Sequence, residues 1–315
     1  MADAAALSAL LVPMMVRVGH DKRRAAGLVA AAGCIGPVIP PSIGFIIFGV
    51  AGGVSITKLF MAGIVPGLLT GLALAVAWWL VVRSDEVQTP PRQSIAERKR
   101  ALLQGIWALM LPVIILVGLR MGVFTPTEAA VVAVVYSLFV AVVIYRELKL
   151  SDLYGVFLAT AKTSAVVMFL IAAALVSAWL ITAADLPGMI AALLEPLMGN
   201  PTLLLLVMMG LIILIGTTMD MTPTILILTP VLMPVVKAAG IDPVYFGVLF
   251  IMNCAVGLVT PPVGNVLNVV AGVSKLSLED VVKGVWPFLI AQFTVLALLV
   301  LFPSLVMVPA QWFSR

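Results

Sequence analysis

At 315 residues, 63% of them hydrophobic and 10% charged, with a mean hydropathy of +1.23, the chain carries more apolar surface than a soluble core can bury. It reads as an all-α polytopic membrane protein, and its apolar runs of about 20 residues exclude the alternating strands of a β-barrel. The formal net charge of +4 describes loops rather than a nucleic-acid surface, because no basic stripe is interleaved with the aromatics, and no nucleic acid is expected as a partner.

The chain opens on an apolar stretch, 1–18, whose leader carries Asp3 and no basic residue, so it does not read as a signal peptide. A basic loop with Arg17, Lys22, Arg23 and Arg24 follows, then a second apolar run, 25–49. Inside that run lies Gly36-Pro-Val-Ile-Pro-Pro-Ser-Ile-Gly44. Adjacent prolines remove two backbone donors, so an ordinary helix must break there. Cys34 beside the break reads as a small buried hydrophobe, and His20 has no partner suited to a metal site. A full span is expected at 59–82, followed by a cytoplasmic linker at 83–104 containing Pro90-Pro91.

The middle of the chain, 105–183, carries three scaffold spans, near 105–119, 128–145 and 153–181. Thr125-Pro-Thr-Glu128 has capping-box spacing with proline at the first helical position, which makes Glu128 a helix-start residue rather than a transport residue. Lys162 is close enough to a basic end to snorkel. Residues 185–201, with two prolines, suit a helix lying at the interface. The runs 203–216 and 225–238 are each too short to span alone. Around the polar tip Thr217-Thr-Met-Asp-Met-Thr-Pro-Thr224 they predict a re-entrant hairpin over 203–238. A second broken helix is expected at 245–272, interrupted by Gly257-Leu-Val-Thr-Pro-Pro-Val-Gly-Asn265, and a final span at 285–308.

The two double prolines begin 221 residues apart, at Pro40 and Pro261. At that same offset Pro13 meets Pro234, Gly19 meets Gly240, Asp21 meets Asp242, Gly36 meets Gly257, Gly63 meets Gly284 and Pro66 meets Pro287. About one such coincidence would arise by chance, so the chain is internally duplicated. Residues 1–82 form one copy and 184–315 contain the other. Ala9 aligns with Pro230, inside an element of the second copy, so the first copy starts mid-element and an N-terminal truncation is expected. If the loop at 17–24 is cytoplasmic, so are 83–100, 146–149 and 275–283, and these hold 13 of the 18 Lys and Arg residues. The equivalent loops 17–24 and 237–244 then face opposite sides. That predicts an inverted-repeat, ion-transporter-type fold with discontinuous helices and a site near the midplane.

A broken helix offers free carbonyls to a cation and free N–H groups to an anion. Carbonyls near Gly36, Val38 and Pro40, and near Gly257, Val259 and Thr260, suit sodium, with Ser42, Thr260 and Asn265 able to complete a shell. Asp220, the carboxylate of the hairpin tip, either serves an ion or is a solvated cap for Thr222-Pro223. Thr217, Thr218 and Thr222 are further hydroxyl candidates, and Asn268 lies one turn beyond Asn265 on the same face.

Met219-Asp-Met-Thr-Pro-Thr-Ile-Leu-Ile-Leu-Thr-Pro230, the two Pro-Pro segments and Phe124-Thr-Pro-Thr-Glu-Ala129 together resemble the large, DctM-type membrane subunit of TRAP (tripartite ATP-independent periplasmic) transporters over essentially the whole chain. The resemblance implies a permease, not an enzyme, in the bacterial inner membrane. It implies sodium-driven elevator-type import of a small carboxylate or acidic sugar, with sodium as coupling ion and no other cofactor. Its partners would be a small four-helix membrane subunit and a periplasmic substrate-binding protein. Carried onto this sequence, the sodium-site residues are Gly36, Val38, Pro40 and Ser42 in one copy, and Asp220, Thr222, Gly257, Thr260 and Pro262 in the other. Asn265 and Asn268 are the substrate-binding residues, and their context is similar to the diketogulonate-type branch. Family members have roughly a hundred more residues before the present start. The alternatives are a stand-alone sodium–dicarboxylate symporter or a non-transporting membrane scaffold. An intramembrane hydrolase lacks a Ser–His pair at depth.

Overall fold

A computed structural model describes residues 2–83 and 93–313, and every regular element among them is helical. It divides into two compact units, Met1–Pro90 with Leu180–Arg315, and Pro91–Trp179. In chain order the helices are α1 (Ala2–Arg17), α2 (Lys22–Gly33), α3 (Ile43–Gly52) and α4 (Ile56–Val82), then α5 (Ile95–Arg120), α6 (Pro126–Phe139) and α7 (Leu153–Ala183). There follow α8 (Leu186–Leu194), α9 (Pro201–Gly216), α10 (Met221–Ala238), α11 (Pro243–Gly257), α12 (Asn265–Ser274), α13 (Leu278–Leu301) and α14 (Ser304–Phe313). Among the described residues six helical segments, Ile56–Val82, Ile95–Arg120 and Leu278–Leu301 among them, are long and apolar enough to cross a membrane. The chain is a polytopic membrane protein.

Three boundaries depart from the sequence expectation, each for a local reason. The span expected from 105 begins at Ile95, because Ser94 and Glu97 form a complete capping box: Glu97 N donates to Ser94 Oγ at 3.2 Å, and Ser94 N to the Glu97 carboxylate at 2.7 Å. Of the expected linker, residues 84–92 lie outside the described residues. The final span begins at Leu278 rather than 285, where Ser277 accepts from Asp280 N, and it ends before Pro303, with α14 carrying the rest of the apolar run. The second hairpin arm starts at Met221, four residues earlier than expected. Thr222-Pro223-Thr224 form its first turn, and at 18 residues it is itself long enough to cross.

The two copies fold alike. Asp21 and Asp242, equivalent by the 221-residue offset, each cap the helix that follows, accepting from Arg24 N, and from Val244 N and Tyr245 N. The equivalent Gly19 and Gly240 precede them with φ of +102° and +69°, a backbone region that side chains disfavour. Equivalent prolines, Pro13 with Pro234 and Pro66 with Pro287, lie inside equivalent helices. Packing follows the same exchange: α1 lies on α12 as α10 lies on α3, and α2 lies on α13 as α11 lies on α4. The buried Phe48 ring sits 6.2 Å from Phe246 and 5.4 Å from Phe250, joining α3 to α11 at the middle of the core.

Helix α13 serves as a ruler for their relative direction. Near its start, Asp280 pairs with Arg23 at the start of α2 (2.9 Å), and Gly27 and Ala31 meet Gly284 and Gln292 further along. Near its end, the Leu299 carbonyl accepts from Tyr245 Oη at the start of α11, at 2.8 Å. Asp280 and Leu299 are about 19 residues apart, or about 28 Å at the α-helical rise, close to the roughly 30 Å of a bilayer's hydrocarbon. The equivalent helices α2 and α11 thus start at opposite ends of α13.

The second unit holds α5 and α6, joined by a tight connection in which the Phe124 ring fills the space beside Gly118. Thr125 and Glu128 make both bonds of a capping box, so Glu128 is committed to the helix start. Tyr136 and Tyr145 donate to the carbonyls of Trp107 and Gln104, both at 2.7 Å.

Candidate functional site

Both apolar runs break at their double prolines, where Pro40–Pro41 and Pro261–Pro262 are cis peptides. Between α2 and α3 the chain turns through Cys34–Ser42. The Ser42 hydroxyl donates to the Pro37 carbonyl and accepts from Phe45 N, so it clasps the turn and caps α3 together. Among the described residues, no hydrogen bond reaches the carbonyls of Gly36, Val38 or Pro40. The Val38 carbonyl faces Gly63 of α4, where an added Cβ would come within 2.7 Å of it. Gly63 is the residue that gives this carbonyl room.

Between α11 and α12 the break is closed differently. Thr260 N donates to the Gly257 carbonyl at 3.0 Å and Thr260 Oγ1 to the Val256 carbonyl at 2.8 Å. Val266 N reaches back across the break to the Leu258 carbonyl at 3.1 Å. Gly264, with φ of +50°, precedes α12. Among the described residues no bond reaches the carbonyls of Val259, Thr260, Pro261 or Pro262, so the second break, like the first, leaves carbonyl oxygens free for a cation, whereas the Gly257 carbonyl is spent on Thr260 N. Asn268 turns its amide onto the Val263 carbonyl at 3.2 Å, and Asn265 opens α12.

The hairpin tip, Thr217–Asp220, docks on this second break. Gly216 and Gly257 lie backbone on backbone, with a Cβ at Gly257 only 3.0 Å from Gly216 Cα, and Gly264 N donates to the Thr217 carbonyl at 3.3 Å. Asp220, the last residue of the tip, is exposed and caps α10 by accepting from Met221 N at 2.8 Å. The Met221 methyl in turn lies within 3.2 Å of where a Cβ of Gly44 would sit, at the start of α3. The structure therefore brings Gly257 and Gly264 against the tip, and sets Met221, next after Asp220, against Gly44 of the first copy's half-helix. Thr217 and Thr218 spend their hydroxyls on the Leu214 and Ile215 carbonyls.

Sequence reasoning overlooked four residues here. Gly216 is invisible to a search for donors, because its role is to let two backbones touch. Asn253 is fully buried in α11 and donates to the Met209 carbonyl of α9 at 2.6 Å, leaving its Oδ1 without a partner among the described residues. Gln292 does the same for α13 and Ala31 of α2, at 2.9 Å. An amide inside an apolar run was the signal for both. Asp3 places a carboxylate oxygen 3.7 Å from where a Cβ of Gly36 would be, beside the first break. Cys34 and Cys254 are buried and unbonded to each other, as small apolar residues. His20 packs edge-on against Trp78 at 4.9 Å.

The family described as "Tripartite ATP-independent periplasmic transporter, DctM component" matches residues 1–305. The chain is 54% identical over 313 residues to the 2,3-diketo-L-gulonate TRAP transporter large permease protein YiaN of Escherichia coli, covering 99% of this chain and 74% of that one. It is 37% identical to the C4-dicarboxylate TRAP transporter large permease protein DctM of Pseudomonas aeruginosa, covering 99% and 73%. With the sialic acid TRAP transporter large permease protein SiaM of Vibrio cholerae it shares 38%, covering 96% and 71%.

Proposed function

The chain belongs to the DctM family of TRAP transporter components, and from that premise we propose that it is the permease subunit of a sodium-coupled importer of a small carboxylate or acidic sugar. It works in a bacterial inner membrane beside a small membrane subunit and takes substrate from a periplasmic binding protein. The observation that carries the sodium reading is the pair of breaks with unbonded carbonyls, one of them sealed by a hairpin tip through Gly216–Gly257. A sodium ion takes several oxygen ligands, and the carbonyls of Gly36, Val38 and Pro40 form one set while those of Thr260 and Pro262 form another. Asn265 and Asn268, at the start of α12, face substrate at that helix's positive end. The start of α2 and the start of α11 at opposite ends of α13 support an inverted repeat, so moving one block against the other exposes the site alternately. The 54% identity to a diketogulonate permease favours a sugar-acid anion over a dicarboxylate.

A monovalent anion entering alone is opposed by an inside-negative potential, by about 2.3 kcal/mol per 100 mV. Two sodium ions moving with it reverse the sign, so the same potential then drives import. The test is uptake into proteoliposomes holding this chain with its small subunit, with and without the binding protein, at imposed potentials. Uptake should need sodium and the binding protein and should rise with internal negativity. Full uptake without the binding protein would favour a solitary symporter, and uptake indifferent to sodium would remove the ion assignment.

A further inference from the structure

At the end of the molecule where the loops at 17–24 and 275–283 meet, α1 and α12 leave between them a cavity of about 450 Å³. Its mouth is cationic: Arg17 ends α1, Lys22 opens α2 and Lys275 follows α12. None of the three is paired with an acid among the described residues. Asp21, next along the chain, turns its carboxylate onto the Arg24 amide instead. Deeper in, Ser8 and Ser274 line the cavity from opposite helices, 1% and 7% exposed, and neither hydroxyl has a hydrogen-bond partner. Val12 and its neighbours on α1 make the walls apolar.

These features share one missing component. A cation at the end of α1 or α12 suits the helix dipole, but Lys22 sits in the first turn of α2, where the dipole opposes it. Three like charges around one opening repel each other, and two buried hydroxyls are left unsatisfied. An anion at the mouth would answer all three costs, and the apolar walls require that it carry an apolar body. We propose that the cavity seats the phosphate end of an anionic phospholipid from the leaflet on the basic side, with Arg17, Lys22 and Lys275 on the phosphate, Ser8 and Ser274 on glycerol ester oxygens, and an acyl chain along the apolar wall of α1. The chain's place in a bilayer supplies that ligand at the right depth.

The test is lipid titration of the purified full chain, read by native mass spectrometry and by thermal shift, with phosphatidylglycerol, phosphatidylcholine and inorganic phosphate as probes. Phosphatidylglycerol should bind and stabilise in preference to phosphatidylcholine, and millimolar phosphate should neither stabilise nor compete. Changing Arg17, Lys22 and Lys275 together to Gln should weaken phosphatidylglycerol binding roughly 100-fold, taking each basic residue at its usual surface contribution. Should that variant fold poorly, Val273→Cys at the cavity edge keeps the question open to measurement. Its labelling by a maleimide should be slower in bilayers containing phosphatidylglycerol than in phosphatidylcholine alone. Equal binding of the two lipids, competition by free phosphate, or labelling of Cys at 273 that responds to a partner subunit and not to lipid would each overturn the proposal.

Discussion

The crossing of α2 and α13 offers a quantitative test of the architecture that holds the two copies together. Gly27 and Gly284 touch through their backbones: a Cβ on Gly284 would lie 2.0 Å from the Arg23 carbonyl oxygen, and one on Gly27 would lie 2.3 Å from Gly284. For Gly284→Ala to reach ordinary contact the helices must part by roughly 1.4 Å, and no side-chain rotation relieves the clash because the obstacle is main chain. Replacing a helix-interior glycine by alanine gains about 1 kcal/mol in propensity. Overpacking against backbone costs about 1–3 kcal/mol, and parting the helices strains the buried Gln292–Ala31 bond, whose loss adds about 1–3 kcal/mol. The half-exposed Arg23–Asp280 pair adds little.

The expected net destabilisation is about 1–5 kcal/mol, a fall in Tm of roughly 2–10 °C at about 2 °C per kcal/mol for a chain of this length. Gly272→Ala is the matched control: it too lies inside a helix, but a Cβ there meets nothing within 4 Å, so it should be neutral or stabilising by up to about 1 kcal/mol. Cys34 and Cys254, buried and free, provide the readout, since a thiol-reactive fluorogenic dye reports their exposure on heating. A Gly284→Ala protein melting within about 1 °C of the wild type, or a Gly272→Ala protein falling as far, would refute the close crossing.

Gly257→Ala presses on Gly216 at only 3.0 Å, so it should lift the hairpin tip, weakening sodium dependence of uptake severalfold while Tm falls by no more than about 2 °C, a split that transport and melting measured side by side will show. Asn253→Ala should destabilise by about 1–3 kcal/mol, seen as a lower Tm, through the lost bond to Met209 and the space left in a fully buried site. Single cysteines at Ser94 and Ala239 should label from opposite faces of the membrane, and labelling from the same face would rule out an inverted arrangement.

Much of the fold was legible because hydrocarbon leaves so few options. Long apolar runs had to be helices, and a double proline within one had to be a break. A cap is legible where it opens an apolar run, as at Thr125–Glu128, and obscured where charged residues surround it. Ser94-Ile-Ala-Glu97 has the same spacing, but it sits in a charged segment that reads as linker by hydropathy alone. The boundary at Phe302-Pro303 is marked by the proline and by Ser304 after it, but the apolar residues on either side read as one continuous span. The hairpin arm is longer than its apolar run, because Thr222, Pro223 and Thr224, which look like a polar loop, all suit the first turn of a helix whose cap is Asp220. At the site, the residue types that donate oxygens could be named from sequence. Which carbonyls are already spent, and which glycines let one backbone reach another, depends on packing that periodicity does not encode.

The duplication itself explains why the two breaks need not be chemically equal. The residues that recur at the 221-residue offset are prolines, glycines and a capping aspartate, which dictate where the chain bends and how closely it packs. The side chains that close each break do not recur. Ser42 clasps the Pro37 carbonyl in the first copy, and its counterpart in the second is Val263, whose carbonyl is held by Asn268 instead. Thr260, which ties the second break to Val256, has Ile39 as its counterpart, which makes no such bond. A two-fold exchange of helices therefore surrounds two unlike sets of oxygens: the Gly36 carbonyl is unbonded among the described residues, while that of its counterpart Gly257 is held by Thr260 N. Two cation sites built this way would differ in affinity. Ordered binding is then the expected behaviour, with the better-preorganised second break, sealed by Gly216 and Thr217, filling first.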